Sequence, residues 1–397
     1  MELAENIKHL AGEYYHDIVG IRRHLHRFPE LSYEEFSTSA YIQEQLRILD
    51  IPYQSGYVKT GIIGRIEGNN PGKRIIALRA DMDALPITEM NVIPYKSEHP
   101  GKMHACGHDL HMAALLGAAR ILRKIRGTFE GTVLLVFQPA EEKLPGGANL
   151  LMQEKAFEGC TPNLIIGQHV LPGLPAGTVG YRPGVYMASS DEIYLTVKGK
   201  GGHAAVPHQL VDPVVIAANI IVALQQIVSR NANAAIPSVL SFGKIEASGA
   251  VNIIPAEVKI EGTFRTMNEP WRKEAHEKIS RLAKAIAEGM GGACEVNILH
   301  GYPVLENHNG YTARAAELSR QLLGPEKVID LELRMTSEDF AYYAQCFPAV
   351  FYRFGTTDPQ GQYTAPLHSA TYMADETALI TAMGNLAWLA LSFLQED

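Results

Sequence analysis

Four short stretches of the sequence carry residue types able to hold a metal ion and move a proton. The densest is Met103-His104-Ala105-Cys106-Gly107-His108-Asp109-Leu110-His111. Cys106 and His108, two apart, can both reach one metal centre, and Gly107 lets the backbone turn between them. Taken alone, the stretch is equally a buried cysteine beside a helix that opens on His-Asp. The second is Gln138-Pro139-Ala140-Glu141-Glu142, directly after the mostly apolar run 132–137. Adjacent carboxylates at the end of a buried strand repel one another unless positive charge lies beside them. A metal cluster would supply that charge, leaving one glutamate as a ligand and its neighbour as a proton-transfer group. A solvated Glu-Glu pair at the start of a loop is the plainer alternative. Gly167-Gln168-His169 and Pro366-Leu367-His368-Ser369 add one histidine each. A lone histidine is more often a core or surface residue than a ligand, so the argument lies in the combination. Cys, His, Glu, His and His together suit a borderline transition metal far better than calcium or magnesium. A fifth run, 78–86, brings Asp81 and Asp83 to another strand end, as ligands, as hydrogen-bond partners of a ligating imidazole, or as a polar turn closed by Pro86.

The elements around these residues read as alternating helices and strands. Arg74–Ala80, Thr132–Phe137 and Leu164–Gly167 are short, mostly apolar runs expected to be buried strands. An Ala- and Leu-rich helix is expected from about His108 to Lys124. Ser32-Tyr33-Glu34-Glu35 has the spacing of a capping box and is expected to open a helix running to about Leu49. Apolar strands separated by helices imply an α/β domain with a central, mostly buried sheet, and such sheets build their sites at strand ends. Near residue 183 the pattern changes. Ile193, Leu195 and Val197 alternate with polar residues, and Asp212-Pro213 caps a helix through Ile216, Ile220, Leu224 and Ile227. Two more alternating strands, 238–245 and 257–266, and a helix of about 270–290 follow. The division expected is therefore a catalytic domain of 1–183 and 301–397, interrupted by a smaller α+β sandwich at 184–300. No internal repeat or low-complexity segment is present.

Composition narrows the partners. With 35 Lys+Arg against 43 Asp+Glu the net charge is −8, and no basic block stands out, which argues against nucleic acid. The start of the chain lacks a basic stretch followed by an apolar one, and no uninterrupted apolar run approaches the roughly 18 residues of a membrane span. Four scattered cysteines suggest reduced thiols. A cytoplasmic protein without membrane attachment is the expectation.

The runs Arg79-Ala80-Asp81-Met82-Asp83-Ala84-Leu85-Pro86, His104-Ala105-Cys106-Gly107-His108-Asp109 and Gln138-Pro139-Ala140-Glu141-Glu142 resemble one family across essentially the whole chain. It is the metal-dependent amidohydrolase family of hippurate hydrolases, N-acyl-amino-acid aminoacylases, N-acetyl-diaminopimelate deacetylases and indole-acetyl-amino-acid hydrolases. The resemblance implies two divalent ions, zinc or manganese with cobalt or nickel as alternatives, held by Cys106, His108, Glu142, His169 and His368. Glu141 matches the general base, and Asp83 a carboxylate that orients a ligand. In the inserted domain, a lid and dimerisation module in related enzymes, His203 matches a histidine that reaches a neighbouring subunit's site to stabilise the tetrahedral oxyanion. Asn252 and Arg265 match substrate-binding positions. A homodimer or higher homo-oligomer acting on a small N-acyl amino acid is implied.

Arg265 has support of its own. In a period-2 strand Val258, Ile260 and Phe264 share one face, and Lys259, Glu261, Thr263 and Arg265 share the other. Its planar guanidinium is therefore available to a free carboxylate rather than committed to the core, with a solvated strand charge as the plainer alternative. The reaction implied is hydrolysis of the amide bond to a carboxylate and a free amino acid. The nearest competitor is a metallo-dipeptidase or carboxypeptidase-like exopeptidase of the same superfamily. A cysteine hydrolase using Cys106 and His108 leaves Glu142, His169 and His368 unexplained, and a non-catalytic metal-binding protein leaves Glu141 without a purpose.

Overall fold

The computed structural model describes residues 2–358, 360–361 and 363–396, and the chain forms two compact units. The larger comprises Met1–Gly184, Glu306–Glu332 and Asp339–Asp397; the smaller comprises Val185–Leu305 with Leu333–Glu338.

The larger unit is built on an eight-stranded mixed sheet. Its centre is parallel: Ile75–Asp81 lies between Thr132–Gln138 and Leu164–Pro175, and Ala349–Thr357 pairs with the latter. The register aligns Asp81 with Gln138 and Arg79 with Gly167. The residues just beyond these pairs, Met82–Asp83 and Pro139–Glu142, therefore leave the sheet at one end, level with Gln168–His169, which stay paired with Tyr352 and Arg353 of the strand Ala349–Thr357. Leu78, Leu135 and Ile166 are wholly buried, as expected of strands covered on both faces. The helices Glu2–Arg27, His108–Lys124, Asn309–Leu323 and Ala378–Gln395 share one apolar core with the sheet. The predicted helix His108–Lys124 has those bounds. The first helix, the antiparallel edge strand Tyr53–Tyr57 and its neighbour Gly61–Glu67 were not anticipated.

The capping box is a correction. The helix starts at Phe36, and Ser32 does not cap it. The Glu30 carboxylate does, accepting from the Ser37 and Thr38 amides at 3.1 and 2.8 Å. Ser32 Oγ donates instead to Asp83 at 2.6 Å. The local spacing was right for a cap, but a tertiary acceptor took the hydroxyl.

In the smaller unit a four-stranded antiparallel sheet runs Ser238–Glu246, Glu257–Thr266, Asp191–Lys198, Ala293–His300. Val258, Ile260 and Phe264 point into a core with Ile193, Leu195, Ile220, Leu224 and Ile279 from the sheet and the helices Pro213–Gln226 and Glu269–Gly289. Asp212 caps the first of these helices, its Oδ1 accepting from Val214 N at 2.8 Å.

The helices Pro213–Asn231 and Ala378–Gln395 are long and apolar enough to cross a membrane, which corrects the expectation drawn from uninterrupted runs. Polar residues such as Asn385 break the run without lowering its mean hydropathy much. The apolar stretch of Ala378–Gln395 is 83% buried, the signature of a core helix.

Candidate metal centre

Two strand ends, the middle of the strand Leu164–Pro175, the start of one helix and a turn near the C-terminus deliver the first set of residues. Gly107, with φ of +83°, occupies the left-handed region just before the helix, and a Cβ there would lie 2.7 Å from Val170 Cγ2. Glycine thus turns the chain so that Cys106 and His108 face the same space. His108 Nδ1 lies 2.8 Å from the Asp83 carbonyl, which can only accept, so Nδ1 carries a proton. Its Nε2 is buried without a hydrogen-bond partner. His169 Nδ1 likewise donates to the Val170 carbonyl at 2.9 Å, leaving Nε2 3.4 Å from Cys106 Sγ. His368 has a left-handed backbone (φ of 63°), and its Nε2 is 3.3 Å from Glu142 Oε1.

The donor atoms gather into overlapping triads. Cys106, His108 and His169 form one; Cys106, Glu142 and His368 form another; His108, Glu141 and Glu142 form a third, each with its atoms within 4.8 Å of one another. Electrostatics make the same space unusual. Burial disfavours a charged His108, yet Asp81, Asp83 and Glu142 outweigh it and push its pKa up to about 10. Burial, with Glu142 and Glu141 nearby, drives the Cys106 thiol well above its ordinary value. Without a cation, then, the thiol stays protonated and the imidazole takes a proton. A divalent ion would reverse both, as metal binding does to coordinating thiols and imidazoles. The thiol, imidazole and carboxylate donors, and the buried Nε2 with no partner, fit a borderline divalent cation.

One expectation follows directly. Loading zinc at pH 8 should release about one proton more from the wild-type protein than from Cys106→Ser, the thiol's proton being displaced by the metal. Calorimetric titration in buffers of different ionisation enthalpy reads this number. Equal release from the two proteins would remove Cys106 from the ligand set.

The other polar residues of the dense stretch do different work. His111 commits both ring nitrogens: Val170 N donates to Nε2 at 3.0 Å, and Nδ1 lies 2.6 Å from Asp81. Asp81 also receives Arg79 at 2.7 Å; burial opposes its charge, but His108, His111 and Arg79 hold its pKa well below the usual carboxylate range. Asp109 accepts from Arg22 at 2.8 Å and stands 2.8 Å from His26 Nδ1, which ties the helix start to the first helix. His104 is buried with both ring nitrogens unpartnered, and burial pushes its pKa down to about 3.

Asp83 sits under the glutamate pair. Its two oxygens accept the backbone N–H of Glu141 and of Glu142, both at 2.9 Å. It therefore fixes the peptide bearing both carboxylates as well as approaching His108. Lys143 is exposed, and Glu141 is buried.

The remaining candidates lie in the smaller unit. The short strand Gly202–His203 pairs with Ile253–Ile254, and Ala204 N donates to Asn252 O at 3.0 Å, so His203 and Asn252 flank one exposed ribbon. Ala205 N donates to His203 Nδ1 at 3.1 Å. The neutral ring then carries its proton on Nε2, ready to be donated. Arg265 is half-buried, with Nη1 3.2 Å from Met335 O and 3.4 Å from Ser337 Oγ. Cys160, Cys294 and Cys346 belong to none of the donor triads.

Comparison with known proteins places this geometry. The sequence model of Peptidase family M20/M25/M40 matches residues 77–387. The chain is 41% identical over 307 residues to an N-acyl-L-amino acid amidohydrolase of Geobacillus stearothermophilus, covering 77% of this chain and 82% of that protein. It is 36% identical over 396 residues to thermostable carboxypeptidase 2 of Saccharolobus solfataricus, covering 99% of each. Its fold matches a dinuclear metal binding peptidase of the M20 family from Bacillus subtilis with a TM-score of 0.84 and 34% identity, covering 97% of this chain and 100% of the other.

Proposed function

Because this chain belongs to peptidase family M20/M25/M40 and is a metal-dependent hydrolase, we propose that it cleaves the amide bond of N-acyl amino acids, giving a carboxylate and a free amino acid. The observation that carries the reading is the Glu141-Glu142 pair, held at a strand end where Glu142 joins Cys106 and His368 while Glu141 stands beside His108. Cys106, His108, Glu142, His169 and His368 would hold two divalent ions, zinc or manganese. Bound there, the ions would polarise the scissile carbonyl and acidify a water molecule. Glu141 takes the proton from that water and returns it to the leaving nitrogen. Asp83 keeps the two glutamates on their separate tasks by holding both their amides.

The smaller unit supplies the groups for the rest of the substrate. His203 donates from Nε2 to the developing oxyanion. Arg265 and Asn252 bind the α-carboxylate of the amino acid and set its register. We take the enzyme to be a homodimer joined through its smaller units, with His203 serving the neighbouring subunit's site.

A panel of N-acetyl, N-benzoyl and indole-acetyl amino acids, set against unacylated peptides and assayed with added manganese or zinc, tests the reading. Acylated amino acids should be the better substrates. Their methyl esters should lose roughly tenfold or more in kcat/KM, the worth of a charge-assisted pair to Arg265. Peptides cleaved faster than any acylated amino acid would favour the carboxypeptidase-like reading that the archaeal relative suggests.

A further inference from the structure

The turn Ser32–Glu35 grips the loop that carries the glutamate pair. Ser32 Oγ reaches Asp83 at 2.6 Å, Tyr33 Oη donates to Lys143 O at 3.1 Å, and Glu35 Oε1 accepts from Ala140 N at 2.9 Å. Three successive amides, those of Ala140, Glu141 and Glu142, thus donate to two buried carboxylates, Glu35 and Asp83. Ala140 itself lies in the left-handed region with φ of 53°, a conformation unfavourable for any residue with a Cβ. The bend is further confined by Gly147, whose amide donates to Ala140 O at 2.9 Å and whose Cβ, if present, would lie 1.7 Å from Pro139 O. Glu35 is wholly buried and also receives Thr60 Oγ1 at 2.9 Å and Tyr33 N at 3.0 Å. Burial and the nearby Asp83 raise its pKa to about 7, so keeping a carboxylate here is costly.

We propose that Glu35 is a positioning residue for hydrolysis: by holding the Ala140 amide in its left-handed bend, it sets the direction in which Glu141 projects. The inference rests on the reading of Glu141 as the base and Glu142 as a ligand.

Glu35→Ala and the near-isosteric Glu35→Gln test it, the second keeping an oxygen that can accept from Ala140. Loss of such supporting contacts typically costs about 10–100-fold. Glu35→Ala should therefore lower kcat about 10–100-fold with KM within about threefold, and Glu35→Gln should fall between it and wild type. In the metal-free protein, hydrogen exchange in 138–147 should quicken in Glu35→Gln while exchange in helix 108–124 does not. Ala140→Gly, which removes the penalty of the left-handed bend, should restore part of the lost kcat in the Glu35 variants. The proposal is overturned by unchanged kcat, by a loss carried in KM, by exchange quickened throughout the protein, or by no recovery from Ala140→Gly. Glu141→Gln assayed in parallel separates the two readings: if that variant stays active the base is misassigned, whereas exchange in 138–147 reports on Glu35 regardless.

Discussion

Glu141→Gln should bind its metal ions as the wild type does and lose about 10²–10⁴-fold in kcat, the usual contribution of a positioned proton acceptor. The amide has nearly the same shape as the carboxylate, and the Glu141 backbone stays anchored to Asp83. What changes is the ability to accept a proton. Glu142→Gln should do the opposite, because Glu142 stands among Cys106 and His368; metal content should fall first and activity with it. Metal analysis after gel filtration, alongside initial rates, separates the two. A Glu141→Gln enzyme that keeps more than a few per cent of wild-type kcat would require another base.

The second large effect comes from mixing. If His203 serves the neighbouring subunit, His203→Ala and Glu141→Gln should each be nearly inactive alone. Combined under conditions that exchange subunits, random pairing makes about half of the dimers mixed, each with one site that has both residues intact. Activity should then rise towards about a quarter of wild type. If His203 acts within its own chain, every site in the mixture lacks one residue and nothing recovers. A fully active monomer by light scattering would end the proposal outright.

The sequence disclosed the candidate metal-binding residues through their types and their grouping near predicted apolar strands. Glu142 was legible because the apolar run before it announces where a strand stops, and Cys106, His108, His169 and His368 because of their residue types in combination; the structure gathers the five into triads, with His169 inside its strand rather than at the end and His368 in a turn. The alternation of Val258, Ile260 and Phe264 likewise gave the core face of the strand Glu257–Thr266. What stayed hidden depends on contacts distant in sequence. Ser32 and Glu35 have the spacing of a local cap, and nothing near them reveals Asp83 or Ala140 as the true partners. Nor does the sequence show that Asp81 and the Val170 amide occupy both ring nitrogens of His111. The strand Ala293–His300 escaped notice although Cys294, Val296 and Ile298 alternate with Glu295 and Asn297; the alternation is short, and Leu299 breaks it.

The smaller unit is assembled from two separate pieces of chain, 185–305 and 333–338. Arg265 comes from the first piece and finds its hydrogen-bond acceptors, Met335 O and Ser337 Oγ, in the second. The unit is therefore not a cassette. A chimera that exchanges 185–305 between relatives while keeping the recipient's 333–338 sets a foreign arginine against a native peptide, so grafting substrate preference from one family member to another requires both pieces to travel together.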